Sequence, residues 1–189
     1  MSPDVDPAQV DEADAHLFGD SLTCDIELPV AVEPSASRGR QAQAIALLSG
    51  LAHIEDLRKD DGGEEHGDLP LLAQRMDAKL DLILGLIGRL ARTHDLPEQP
   101  VRWSRAGLRV DLDPTVGLAQ RGRAIVRLQP ADWLPDHLEL PAQVIARREG
   151  AHGTRMWLAF VDLRPDLVEA LDRHLFRLHR RAVAEQRRR

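Results

Sequence analysis

Cysteine is nearly missing: Cys24 stands alone, so no disulfide can form within the chain, which fits a reducing compartment. Tyrosine is absent and aromatic residues make up only 3%, leaving few platforms on which single-stranded bases could stack. No apolar run approaches the length of a membrane span, and the opening MSPDVDPAQVDEADAH is acidic where a secretory signal would be basic. A cytoplasmic protein without membrane insertion is therefore expected. The signatures of catalysis are missing too. Eight histidines form no HxxxH or HExxH pair, and His174 and His179, five apart, do not share a helix face. Ser104 lies in R-W-S-R-A rather than a G-x-S-x-G elbow, and nothing nominates a base for it. Cys24 has no adjacent basic residue and suits a buried, inert thiol. No phosphate- or dinucleotide-binding glycine pattern occurs, and the pairs Asp60-Asp61 and Glu64-Glu65 sit in a polar loop as solvated charge. We expect no enzyme, no catalytic residue, no cofactor and no metal site.

What is present is an ordinary globular composition, 43% apolar and 30% charged over 189 residues, enough for one domain with extra elements. The net charge of −6 hides an asymmetry: residues 1–68 hold 16 acidic and 4 basic side chains. From Arg173 onward seven arginines face one glutamate, a placement that suits a solvated helix end better than a nucleic-acid surface. No nucleic-acid partner is expected.

Residues 1–20, rich in Asp, Pro and Ala and without sustained periodicity, read as a mostly disordered acidic N-terminus. Residues 21–68 read as an N-terminal strand and helix. LTCDIELPVAV (22–32) suits an edge strand or an extended arm because of Pro29 and Pro34. RQAQAIALLSGLAHIEDLRK (40–59) places Ile45, Leu48, Leu51 and the Ile54–Leu57 pair at helical spacing, and DDGGEEHGD (60–68) ends it in a polar loop.

The strongest local signal is a helix over 69–96. Asp68 can cap it, and Pro70 falls in its first turn. Leu69, Leu72, Met76, Leu80, Ile83, Leu86, Ile87 and Leu90 form a wide heptad stripe, although Lys79 and Thr93 interrupt the d positions. Such a stripe needs cover on more than one side. Either it is a core helix of a monomer or it is the interface of a homo-oligomeric coiled coil with more than two strands, and its length favours the oligomer.

After HDLPEQP (94–100), a proline-bounded linker, the period changes to that of strands. VRWSRAGLRVDL (101–112) reads as a turn, Arg102 to Gly107, leading into a strand through Leu108, Val110 and Leu112. DPTVG (113–117) is a turn, and GRAIVRLQ (122–129) a further strand. In LELPAQVIARRE (138–149), Leu138, Leu140, Ala142, Val144 and Ala146 alternate inward. TRMWLAFVDL (154–163) is apolar enough to be buried on both faces. Pro165 starts a last helix with the stripe Leu167, Leu171, Leu175 and Leu178. Short strands joined by turns point to an antiparallel barrel on which that helix docks.

Ser104-x-x-Gly107 ahead of a strand, with Phe160-Val161-Asp162-Leu163 feeding the last helix, resembles a PilZ domain over roughly residues 97–182. The resemblance implies an α+β fold: a six-stranded antiparallel β-barrel with a C-terminal helix, over 97–184, followed by a basic tail at 185–189. It also implies bacterial cyclic di-GMP signalling. The long helix in front is similar to that of the divergent tetrameric PilZ proteins of xanthomonads, which implies a tetramer and a setting in motility, type IV pilus function or virulence.

The family's ligand motifs are matched only in part. Of (Asp/Asn)-x-Ser-x-x-Gly, Ser104 and Gly107 are kept, while Arg102 stands where the acceptor belongs, and an arginine has donors only. Of Arg-x-x-x-Arg ahead of the barrel, the segment offers Arg89, Arg92, Arg102 and Arg105, no two of them four apart. Losing one partner of a bidentate pair forfeits roughly 1–3 kcal/mol of recognition. We therefore expect weak or absent cyclic di-GMP binding and a non-enzymatic adaptor acting through an unidentified protein partner. The alternative is a cyclic di-GMP receptor with a variant loop built from Arg102, Ser104, Arg105 and Gly107. A nucleic-acid-binding barrel using the basic tail ranks lower, and a hydrolase lowest.

Overall fold

The computed structural model describes residues 7–60, 76, 80, 83, 96–131, 134, 136–150 and 153–187. Six strands, β1 (Cys24–Pro34), β2 (Glu98–Ser104), β3 (Gly107–Leu112), β4 (Arg123–Leu128), β5 (Leu138–Gly150) and β6 (Gly153–Phe160), close into an antiparallel barrel in the order β1-β2-β3-β6-β5-β4. Helix α1 spans Pro7–Phe18, α2 spans Gln41–Asp60, and the C-terminal helix α3 spans Pro165–Gln186.

Alternation explains the barrel. Val101, Trp103, Leu108, Val110, Val126, Leu128, Leu138, Leu140, Ala142 and Val144 all point into one core, because successive side chains of a strand face opposite ways. Leu167, Leu171 and Leu175 of α3 and Ala44 and Leu48 of α2 join the same core. The expected stripes of both helices are thus the faces that seal the barrel; the side chains of Ile54 and Leu57 lie outside the described set. Gln41 ties the layers together: its Nε2 donates to the Asp162 carbonyl at 3.0 Å and its Oε1 accepts from the Arg164 amide at 2.8 Å. Asp162, at φ 55°, turns the chain from β6 into α3, and its carboxylate accepts from Arg123 at 2.8 Å.

Several expectations need correcting. Residues 7–18 are helical, with Ala13 and Leu17 buried against the barrel wall, so a mostly disordered 1–20 does not hold there; residues 1–6 lie outside the described set. β1 is no edge strand. Its first half pairs with β2 (Cys24 opposite Trp103 through Pro29 opposite Glu98) and its second with β4 (Val30 opposite Leu128 through Pro34 opposite Ala124). The pairing changes over at Pro29 and Val30: the Pro29 carbonyl accepts from the Gln129 amide at 3.0 Å, and the Val30 amide donates to the Pro97 carbonyl at 2.9 Å. The barrel therefore reaches beyond 97–184 into the segment read as a separate N-terminal unit, and α3 runs to Gln186 inside the expected tail.

Residues 98–100 of the expected linker are the start of β2. The segment 101–104 is strand as well, and only Arg105 and Ala106 form the turn. Finally, a register shift between Val144 and Ala146 makes Ile145 an extra residue in β5. A shift of one residue moves every later side chain to the other face, so Ala146 lies on the outer wall with Trp157 and Ala159, not in the interior.

Candidate functional site

β2 and β3 form a hairpin in which Ser104 pairs with Gly107 across the two-residue turn Arg105-Ala106. The Ser104 hydroxyl donates to the carbonyl of Leu17 at 2.6 Å and accepts from the Ala106 amide at 3.1 Å, and the residue is fully buried. Gly107 is held by packing. A Cβ there would sit 2.1 Å from the Leu158 carbonyl oxygen, a clash with backbone, and 2.8 Å from Leu17 Cδ2, so the backbone itself would have to move. Both residues of the Ser-x-x-Gly step are therefore turned toward α1 and β6, where the chain itself occupies the space.

Helix α1 lies across the outer wall made by β5 and β6 and ends over this hairpin. Asp14 accepts from one Arg109 nitrogen at 3.1 and 3.0 Å on its two oxygens, and also from the indole nitrogen of Trp157. Phe18 has the Arg102 guanidinium 5.4 Å and the Arg109 guanidinium 5.9 Å from its ring centre, both within cation–π range. Trp157 and Ala159 are buried outside the barrel because Ala13 and Leu17 cover them. That coverage explains why β6 is apolar on both faces, as its sequence suggests.

Arg102 and Arg105 do not converge. Arg102 lies near Asp25, with Nε 3.4 Å from its carboxylate, in a cleft of ≈ 310 Å³ shared with Arg109, Asp111 and Arg155. Asp111 there binds Arg155 through two bonds of 2.7 and 2.8 Å, which hold the Asp111 carboxyl below its ordinary range. Arg105 instead pairs with Asp172 of α3 at 3.2 Å, in a separate cleft of ≈ 650 Å³. The four candidate ligand residues thus split three ways: one arginine in each cleft, with Ser104 and Gly107 beneath α1. Asp14, Leu17 and Phe18 were not foreseen from sequence. The signal for a cover was the double-faced strand β6, which requires something apolar outside the barrel.

Met76, Leu80 and Ile83 are helical and 57%, 54% and 49% exposed. At i, i+4 and i+7 they share one helix face. Leu69, Leu72, Leu86, Ile87 and Leu90 lie outside the described residues. Cys24 is buried, its Sγ 3.6 Å from the Leu175 carbonyl, and burial pushes the thiol pKa up. His174 is buried beside Trp103, ring centres 5.6 Å apart, and its Nε2 and the Trp103 Nε1 have no hydrogen-bond partner. Desolvation, aided by Arg181 and Arg177, lowers the His174 pKa to about 4, against a backbone hydrogen bond at Pro130 that raises it. Among the described residues no cluster of His, Cys, Asp and Glu could hold a metal ion, and no helix is long and apolar enough to cross a membrane.

Residues 48–188 match the model of a family described as an atypical PilZ domain, cyclic di-GMP receptor. A solved structure from Xanthomonas campestris is 45% identical, with a TM-score of 0.74 over 94% of this chain and 99% of that one. It is described as a pathogenic protein with a tetrameric PilZ domain self-assembled through an unusual helical bundle. The inhibitor of motility MotI/DgrA of Bacillus subtilis matches at 10% identity and a TM-score of 0.45, over 85% of this chain and 50% of that one. YcgR of Escherichia coli in complex with c-di-GMP matches at 20% identity and a TM-score of 0.41, over 48% of this chain and 39% of that one. No curated protein sequence matches the chain.

Proposed function

This chain belongs to the tPilZ family of atypical PilZ domains, and on that footing we propose that it is a non-enzymatic adaptor without tight cyclic di-GMP binding. The observation that carries this reading is the Ser104 hydroxyl, buried and committed to the Leu17 carbonyl at 2.6 Å. A dianionic dinucleotide needs several charge-assisted bonds to offset desolvation and ordering. On this wall the serine is engaged by α1, Arg109 by Asp14, and Arg102 and Arg105 face different clefts.

The adaptor assembles as a homo-tetramer through the helix that carries Met76, Leu80 and Ile83, and presents its barrels to a protein partner in bacterial motility, type IV pilus function or virulence. The exposed apolar face of those residues supports the assembly, as does the 45% identity to a tetrameric protein along nearly the whole chain. Calorimetric titration of the purified protein with cyclic di-GMP tests the ligand half of the reading. Sub-micromolar affinity would overturn it in favour of a receptor with a variant loop.

A further inference from the structure

Of the exposed large apolar side chains among the described residues, three belong to the helix stripe at 76–83, and the fourth is Phe176 on α3. Phe176 is 53% exposed at the rim of the ≈ 650 Å³ cleft between α3 and the β2–β3 hairpin. Around it stand Arg105 from the hairpin and Arg173, Arg177 and Arg180 from α3. The Arg180 guanidinium lies 5.9 Å from the Phe176 ring centre.

The carboxylates nearby are engaged in shallow pairs: Arg105 with Asp172 at 3.2 Å and Arg173 with Glu169 at 2.6 Å, all of them well exposed. Pairs this wet contribute little and give way readily to a better-placed anion. In a chain of net charge −6, the cleft has four arginines against Asp20 and Asp172.

We propose that this cleft docks an acidic peptide segment of a partner protein, with an apolar side chain of that segment resting on Phe176. This rests on the adaptor reading and names the chemistry of the partner. The spacing decides between a peptide and a phosphate compound. Arg173, Arg177 and Arg180, at i, i+4 and i+7, spread along roughly 10 Å of one helix face instead of converging on a point. That layout fits carboxylates strung along a chain. Arginines flanking an exposed aromatic are also the composition of an interface hot spot, in which the apolar anchor excludes water from its charged neighbours.

The test is fluorescence anisotropy of the full-length protein with a short fluorescein-labelled peptide of glutamates around one central leucine. Two control probes are the same peptide with serine at the centre, and GDP as competitor. Saturable, salt-sensitive binding is expected, reduced about tenfold or more in Phe176→Ala and again in Arg180→Glu. Both positions are exposed, and matching thermal melts show that the variants still fold. Absent binding overturns the proposal, as does equal binding of the serine peptide or equal binding by both variants. Displacement by GDP assigns the cleft to nucleotides and overturns it too. The assay contains no cyclic di-GMP, so its failure is separate from that of the titration above.

Discussion

The hydroxyl of Ser104 donates to the backbone carbonyl of Leu17, 87 positions earlier, and so pins the end of α1 to the β2–β3 hairpin. Ser104→Ala leaves that carbonyl and the Ala106 amide without their partner in a buried place. Urea denaturation should show a loss of about 1–3 kcal/mol. A serine reserved for a ligand would give no such loss in the free protein, so unchanged stability contradicts the structural role.

Gly107 makes a steric prediction at the same hairpin. Gly107→Ala drives a methyl group against the Leu158 carbonyl and the Leu17 side chain. Overpacking commonly costs about 1–3 kcal/mol and more where backbone must move, as here. The expected outcome is insoluble or partly unfolded protein, or a melting temperature lowered by several degrees; a native melting curve would show that the hairpin has room.

His174 sets an acid limit. The folded state keeps it neutral down to about pH 4, while in the unfolded chain it takes up a proton from pH 6.5 downward. Stability is therefore full above pH 6.5 and falls by roughly 1.4 kcal/mol per pH unit toward pH 4, where the folded state protonates as well. His174→Leu should flatten the urea midpoint between pH 6.5 and 4.5. A slope that persists unchanged in the variant would place its origin elsewhere.

The helix stripe predicts that assembly depends on single apolar positions. Ile83→Glu puts a charge on the face shared with Met76 and Leu80, and adding Leu86→Glu puts a second charge in the stripe expected from the sequence. Light scattering should report an oligomer for the parent protein and a monomer for the double variant. A monomeric parent refutes the bundle outright.

The barrel was legible in sequence because its strands obey one rule. Leu108, Val110 and Leu112, or Leu138 through Val144, alternate into a single core, and period-2 burial leaves a direct mark. Leu167, Leu171 and Leu175 were legible for the same reason at helical spacing. Helix α1 was not. It buries little beyond Ala13 and Leu17, and its hold comes from Asp14 on Arg109 and Trp157 and from one carbonyl on Ser104. Such contacts depend on where distant strands bring their side chains, and no local period records them. The fate of Ala146 was hidden likewise, since a one-residue bulge is a choice of pairing and leaves composition unchanged. The serine and glycine stand out in the sequence, but their partner α1 lies in the segment with the weakest pattern.

Pairing Cys24 with Trp103 and Val30 with Leu128 has a consequence for biosynthesis. β1 leaves the ribosome well before either neighbour exists, and residues 35–97 must follow before β2 begins to emerge. Through that interval it is an unpaired strand among other nascent copies, the usual template for edge-to-edge aggregation. Its own residues answer the hazard: Asp25, Glu27 and Glu33 bring like charges together in any self-pairing, and Pro29 and Pro34 break the ladder of donors. The strand that seals the finished barrel is also the one that translation keeps waiting longest, and its composition is that of a segment guarded against premature partners.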